Sequence, residues 1–297
     1  MKTKAIILLG ILGLFLSFSG CEEDSSSDKG TLSLAITDAP IDDEAVTGVY
    51  ITINELQYHK QNNSWASYEE YDGPKTVNLL ELTDTIAMLG DFEMEAGQYN
   101  QLRFILDAPV RGGGTPSNPG CYITFNDDSE APLFVPSGSK SGFKATGAFR
   151  VPANGIVNLT ADFDVRKSVI EMHSGGSYIL KPTIRLMADH EAGKIVGNLT
   201  NLPDVTSEYV VYAYEDGAYS SSETVADVEE NAFPNAVTSD IVGDEYGFQL
   251  RWLAPMDYDL VVTRYIDGEY QETLGIKENI TVESRETTSV TIDLSSL

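Results

Sequence analysis

Two cysteines and three histidines are all that this 297-residue chain offers of the side chains that most often form disulfides or hold zinc. If Cys21 is taken up by another bond, Cys121 has no partner in the chain and no disulfide framework exists. His59, His173 and His190 are scattered, and none stands at ligand spacing from a cysteine, so no zinc site is expected. Bases are scarce too: 19 Lys and Arg face 46 Asp and Glu, for a net charge of −27. Such a chain is repelled by phosphate, which excludes nucleic acid as a partner. The acidity itself reads first as surface solubility and second as an attraction for cations. No Gly-x-Ser-x-Gly elbow, Walker loop or His-Glu-x-x-His occurs. Ser137-Gly-Ser-Lys140 matches Ser-x-x-Lys in letters, but a Gly-rich turn between strands supplies neither a helix start nor an oxyanion hole. No catalytic residue, metal site or cofactor is therefore expected. Carboxylate pairs for acid–base work stay open, since spacing in space is not legible in a chain with this many acids.

Long apolar runs are also missing, with one exception at the start. Lys2 and Lys4 precede an apolar stretch from Ala5 to Leu16, then Phe18-Ser19-Gly20-Cys21. A basic tip and an apolar run of this length make an export signal over residues 1–20. Extended to Phe18, the run covers 14 residues, about 21 Å as helix, short of a hydrocarbon core of about 30 Å. Small residues at Ser19 and Gly20 directly before a cysteine resemble a lipobox, which makes Cys21 the expected lipidation site and the membrane a partner through that anchor. Each buried methylene contributes about 0.8 kcal/mol, and two or more chains anchor stably. All 46 acids lie beyond Gly20 with 17 of the bases, which leaves the mature part at −29. Residues 21–30 hold no apolar side chain after the cysteine and read as an acidic, flexible tether. The acidic cluster after Cys21 resembles the surface-export signal of Bacteroidota lipoproteins. That implies the outer membrane, on its outer face, with the periplasmic face as the alternative.

Residues 31–189 are dominated by period-2 alternation. Leu32, Leu34 and Ile36 share one face, as do Val49, Ile51 and Ile53, Leu102, Phe104 and Leu106, and Val157 to Val165 in alternate positions. Turn clusters such as Asp38-Ala-Pro40, Asp72-Gly-Pro74 and Gly112-Gly-Gly114 separate them. No useful window keeps a 3.6-residue period, and Leu79 to Phe92 holds at most a short helix. Many short strands with Gly- and Pro-rich turns predict an all-β sandwich or barrel. The apolar parity shifts from Ile53 to Leu56, predicting a bulge near Asn54-Glu55. Pro182 predicts a strand that is broken or at an edge. Cys121, in phase with Ile123 and Phe125, reads as a buried apolar residue. Thr37-Asp-Ala-Pro40, Val49-Tyr-Ile-Thr-Ile-Asn54, Asn78-Leu-Leu-Glu-Leu82, Tyr99-Asn-Gln-Leu-Arg103, Phe163-Asp-Val165 and Tyr178-Ile-Leu-Lys-Pro182 occur in the order typical of domain of unknown function 4382, common in bacterial envelope lipoproteins. The resemblance implies location and fold, and contributes no catalytic residue.

Residues 190–297 read as a second antiparallel sandwich, with strands at Ile195–Leu199, Tyr209–Tyr214, Tyr246–Leu250, Tyr258–Val262 and Ser289–Leu294. The order resembles the transthyretin-like, carboxypeptidase-regulatory type, with Met256-Asp257 where a Gly usually precedes the Tyr. That implies a non-catalytic accessory or spacer module. Residues 191–297 carry 21 acids against 5 bases, so any cation preference is expected there.

Asn126-Asp-Asp-Ser-Glu130, and Asp38 with Asp42-Asp43-Glu44, could offer oxygens to Ca²⁺, but both read first as turns. Tyr212 and Tyr214 stand in phase with Val210 and read as core. Trp65 and Tyr68 are the better candidates for an exposed aromatic site, although packing is the first reading there as well. Asp84-Thr85-Ile86 resembles the Bacteroidota acceptor triplet for O-glycosylation. The expectation from these residues is a non-enzymatic, lipid-anchored envelope protein whose loops meet a glycan or protein partner. The alternative is a structural subunit of an outer-membrane or fimbria-like assembly that pairs through strand edges. A carboxylate-based hydrolase ranks third.

Overall fold

Alternating apolar residues become strands wherever one face finds a core, and most of this chain does so. The computed structural model describes residues 28–39, 45–59, 64–83, 85–108, 120–136, 142–172, 177–224 and 231–297. Residues 1–27, with Cys21, lie outside the described residues, as do Asp42 to Glu44, Asp84, Ser137 to Lys140 and His173. The first thirteen strands are β1 (Lys29–Ala39), β2 (Val46–His59), β3 (Trp65–Ser67), β4 (Lys75–Asn78), β5 (Ala87–Glu95), β6 (Gly97–Leu106), β7 (Tyr122–Phe125), β8 (Glu130–Phe134), β9 (Phe143–Val151), β10 (Ile156–Asp164), β11 (Val169–Met172), β12 (Ser177–Leu180) and β13 (Ile184–Ala188).

They are hydrogen-bonded in the order β11-β12-β8-β7-β2-β6-β9-β13-β10-β1-β5, with β3 and β4 also on β2. This continuous path folds over on itself, because residues from distant strands (Leu32 on β1, Leu133 on β8, Leu180 on β12) share one core. Two features make the fold-over. The register of β2 on β6 slips between Ile53 and Glu55, a bulge that passes the buried side from Ile53 to Leu56 and bends the strand. Pro182 sits in the gap between β12 and β13, and the chain uses that break to leave β8 for a place between β9 and β10. Leu79–Leu82 forms only a 3-10 turn. Cys121 is buried, and burial pushes its thiol up to about 12, so it is an inert core residue.

A single helical turn, α1 (Val165–Ser168), follows β10; the Asp164 carboxylate caps it, accepting from the Lys167 amide at 3.1 Å. The remaining strands are β14 (Gly193–Thr200), β15 (Glu208–Glu215), β16 (Thr238–Ile241), β17 (Gly247–Leu253), β18 (Asp257–Ile266), β19 (Glu269–Thr281) and β20 (Thr287–Asp293). They form two sheets, β17-β14-β20 and β16-β15-β18-β19. Ile195, Val211, Phe248, Leu250, Leu260, Val262 and Ile292 fill the space between them. Each such buried side chain contributes roughly 1.5–3 kcal/mol.

The long strand β19 escapes sequence reading because its burial pattern is almost wholly exposed or intermediate. A turn signal was present nonetheless. Asp267 and Gly268 both take positive φ (51° and 74°) in a two-residue loop between β18 and β19, the combination a tight hairpin requires. At Met256-Asp257 the entry to β18 is fixed by the Tyr258 hydroxyl, which donates to the Ala254 carbonyl at 3.1 Å. The Tyr99 hydroxyl does the same to Glu95 at 2.8 Å in the first sandwich. Burial pushes both hydroxyls up to about 12.

Candidate functional site

The alternation along β10 stops partway. Ile156 and Asn158 are exposed and Val157 buried, but from Leu159 to Asp164 every residue is buried. The outer face of this half-strand is Thr160, Asp162 and Asp164, a set that sequence reading assigns to solvent. Each has found a partner. Thr160 Oγ1 donates to Asp189 Oδ1 at 2.9 Å, and Arg185 on the neighbouring strand donates to Asp162. Asp164 Oδ2 faces Arg166 Nη2 at 3.5 Å and Lys167 Nζ at 3.4 Å. Loss of water raises the Asp162 carboxyl, against the pull of Arg185, and lowers the Lys167 ammonium, against the pull of Asp164.

Arg166 crosses from this face into the second sandwich. It is only 4 % exposed and donates through Nη1 to the carbonyls of Ala232 (3.0 Å) and Phe233 (2.9 Å). Its guanidinium carbon lies 5.3 Å from the Tyr212 ring centroid. Asn231 Nδ2 returns the contact, donating to the carbonyls of Arg166 and of Val169, the latter at 2.7 Å.

The receiving surface is the second face of β15. Val210, Tyr212 and Tyr214 form their own buried cluster with Phe233, Ala236, Val261 and Tyr265. The Phe233 ring stacks on Tyr212 at 4.2 Å, its backbone held at φ 56°, a strained value for a bulky residue that the packing and the Arg166 contact hold in place. The Tyr212 and Tyr265 hydroxyls bond each other at 2.9 Å, and Tyr214 donates to Glu223 Oε2 at 3.0 Å.

At the other end of β10 the chain itself passes from one sandwich to the next. The Asp189 amide donates to the Asn158 carbonyl at 3.0 Å within the first, and the carbonyl of the following residue, His190, accepts from Arg285 Nε of the second at 3.2 Å. Asn158 and Asp164 are six strand residues apart, roughly 20 Å. The covalent crossing and the Arg166 contact thus lie toward opposite ends of one strand.

Between the two bodies, at the Asn158 end, lies a cleft of about 600 Å³ lined by Phe149, Arg150, Ile156, His190, Glu191 and Arg285, among others. A neighbouring pocket of about 280 Å³ shares Arg285 and is lined further by Asp189, Lys194, Arg251, Trp252 and Glu286. Neither the joint nor the groove was expected from sequence. The available signal was a charged run, Asp162 to Lys167, inside an otherwise good strand.

The residues singled out from sequence are not brought together. Tyr212 and Tyr214 are core, as their phase predicts. Trp65 and Tyr68 form no open aromatic platform. Tyr68 is 6 % exposed with its hydroxyl on Met94 Sδ, and the Trp65 ring is covered by the Arg103 guanidinium, 3.7 Å from its centroid. Asn126 to Glu130 is the turn between β7 and β8, with Asp128 at φ 63° and Asp127 Oδ1 accepting from the Ser129 amide at 3.0 Å. Hydrogen bonds from Ser129 hold the Asp127 carboxyl below its usual range. Asp38 Oδ1 accepts from the Val165 amide at 3.0 Å, a structural use. Thr85 is exposed at a bend, with its carbonyl accepting from Thr37 Oγ1 at 2.8 Å. Among the described residues no three His, Cys, Asp or Glu side chains gather as metal ligands would, and no helix is long and apolar enough to cross a membrane.

Residues 29–182 match the family model described as domain of unknown function (DUF4382). No curated protein matches the chain. Among solved structures, the Bacillus anthracis TIE protein aligns at 11 % identity over 89 % of this chain and 34 % of its own, with a TM-score of 0.20. GBS52, the minor pilin of Streptococcus agalactiae, aligns at 13 % identity over 88 % and 94 %, with a TM-score of 0.23. Shaft pilin spaA from Lactobacillus rhamnosus GG aligns at 11 % over 89 % and 97 %, with a TM-score of 0.22. The chain spans about a third of the length of the first of these.

Proposed function

The chain belongs to the DUF4382 family, and from that premise we propose that it is a non-enzymatic, lipid-anchored protein of the outer membrane that binds a glycan or protein partner outside the cytoplasm. In this reading Cys21 carries the lipid, residues 22–30 are the spacer, and the second sandwich, of transthyretin-like type, is an accessory module. The observation that carries it is a cleft lined by both β bodies, beside a joint in which the buried Arg166 of one donates to the carbonyls of Ala232 and Phe233 of the other. Preformed clefts at domain interfaces are where proteins of this size hold ligands. A flexible spacer would have no use for a buried arginine across its joint.

The test is binding by the full chain, purified in detergent, to panels of glycans and envelope proteins. Saturable binding that weakens in Arg166→Ala is the expected result; silence across both panels overturns the reading. Mass spectrometry of the native product reads the anchor directly: acyl chains on residue 21 are expected.

A second reading, an accessory subunit of a larger envelope or fimbria-like assembly, is favoured by one observation. Strands β5 and β11 end the long sheet path, and such edges are open to pairing. A stoichiometric partner co-purified from native membranes marks this second reading; a free monomer marks the first.

A further inference from the structure

The second sandwich has five bases among residues 191–297, and three of them, Lys194, Arg251 and Arg285, line one pocket. A bulge gathers two of the three. On β14, Gly193 pairs with Leu253 and Ile195 with Leu250, so Arg251 and Trp252 together oppose the single residue Lys194. Trp252 takes φ 55° there and Arg285, across the pocket, takes φ 63°. Such values are strained for side chains of this bulk, and bulges of this kind re-aim side chains. Arg285 also lines the larger cleft, where Arg150 of the first sandwich and His190 stand. The two spaces therefore share Arg285 as a common wall.

From this arrangement we infer that the groove is a binding site for a saccharide bearing carboxylates, of the uronic-acid class. The inference rests on the binding reading above and names the ligand of that cleft. Each part of the lining has a use. A guanidinium matches a carboxylate with two parallel hydrogen bonds. The Trp252 indole offers an apolar surface to the C–H side of a sugar ring. Asp189, Glu191 and Glu286 stand among the bases and accept from hydroxyls, of which every sugar residue carries several. An acidic peptide brings neither those hydroxyls nor a ring of C–H groups for Trp252 to cover. Elsewhere this strongly acidic body repels anions, so the groove is where a polyanion finds its attraction.

The test is isothermal titration calorimetry of the full chain in detergent. The probes are tetragalacturonate, its methyl ester, a neutral cello-oligosaccharide and pentaglutamate. Saturable binding of tetragalacturonate is expected, weakened at least tenfold by esterification and by the pair Arg251→Gln, Arg285→Gln, and several-fold by Trp252→Phe. Arg150→Gln, an exposed change on the first sandwich, should weaken it as well and guards against misfolding of the double variant, while Arg264→Gln, paired with Glu272 away from the groove, should leave it unchanged. Equal binding of the ester overturns the carboxylate assignment. Pentaglutamate binding as tightly as the sugar, and indifferent to Trp252→Phe, overturns it in favour of an acidic peptide. No binding of tetragalacturonate while other glycans or envelope proteins bind overturns this site and leaves the broader reading standing; silence across every probe and panel removes both.

Discussion

Strand β15 and the second half of β10 are each buried on both faces, and they reach that state by opposite chemistry. The second face of β15 is Val210, Tyr212 and Tyr214, apolar bodies whose hydroxyls meet Tyr265 and Glu223. The second face of β10 is Thr160, Asp162 and Asp164, which leave water only because Asp189, Arg185, Arg166 and Lys167 are there to meet them. The first kind of face gains free energy by hiding. The second gains little by hiding and loses heavily when a partner is removed. The difference teaches that two-sided burial has a sequence signature only when both faces are apolar.

That contrast can be broken at several levels, and the largest effect is expected at Arg166. Arg166→Ala leaves Asp164 without one of its two cations and takes a charged donor from the carbonyls of Ala232 and Phe233. Urea denaturation should show a loss of about 3–5 kcal/mol, with proteolysis between the sandwiches accelerated. On the apolar face, Tyr212→Phe keeps the ring and removes one hydroxyl, and with it the buried bond to Tyr265. It should cost about 1–3 kcal/mol and leave the joint closed. Equal costs for the two variants would erase the distinction between the faces. Smaller again are the paired tyrosines at strand entries: Tyr99→Phe and Tyr258→Phe should each cost about 1 kcal/mol, one in each sandwich, as separate shifts of the unfolding midpoint. The smallest change concerns an exposed carboxylate. Asp293 accepts from Asn201 at 2.8 Å and from the Ser295 amide at 3.0 Å, and these bonds hold its carboxyl below the ordinary value of 3.8. Its contribution is present above that value and is lost as pH falls through the depressed one. Asp293→Asn should therefore lower stability slightly at neutral pH, where the contribution is present, and converge with the parent below about pH 4, which flattens the acid limb of the stability curve.

How much of this was legible in the sequence follows from the same contrast. The one-sided strands β1, β2, β6 and β9 announce themselves by alternation. The bulge at Ile53/Glu55 was visible as a shift of parity, and the break at Pro182 as a missing donor. Tyr212 and Tyr214 were visible as core because aromatic residues in phase with valine read as buried. Asp162, Asp164 and Arg166 were not, because their burial depends on partners distant in the chain. Strand β19 was hidden for a different reason: as an edge strand of mostly exposed residues it has no apolar face to report, and only Asp267-Gly268 marked its start. Trp65 is packed, in line with the first reading for it, although nothing local foretells that Arg103 is what lies across its ring. The groove was illegible because Lys194, Arg251 and Arg285 are far apart in sequence and meet only after a bulge shifts the register.

The Lys29 carbonyl accepts from the Asn154 amide at 2.7 Å, and Gly30 lies so close to Pro152, a residue of the cleft wall, that a methyl group there would collide with its carbonyl. The mouth of the groove and the point where the leading segment enters the fold are thus the same pole of the molecule. From Cys21 to Lys29 the backbone reaches at most about 28 Å when fully stretched. Under the proposed anchoring at residue 21, that length and the short span from Lys29 to the groove together set the reach of the site. The molecules able to meet Arg285 and Trp252 would then be those held close to the membrane surface, so geography preselects them before chemistry does.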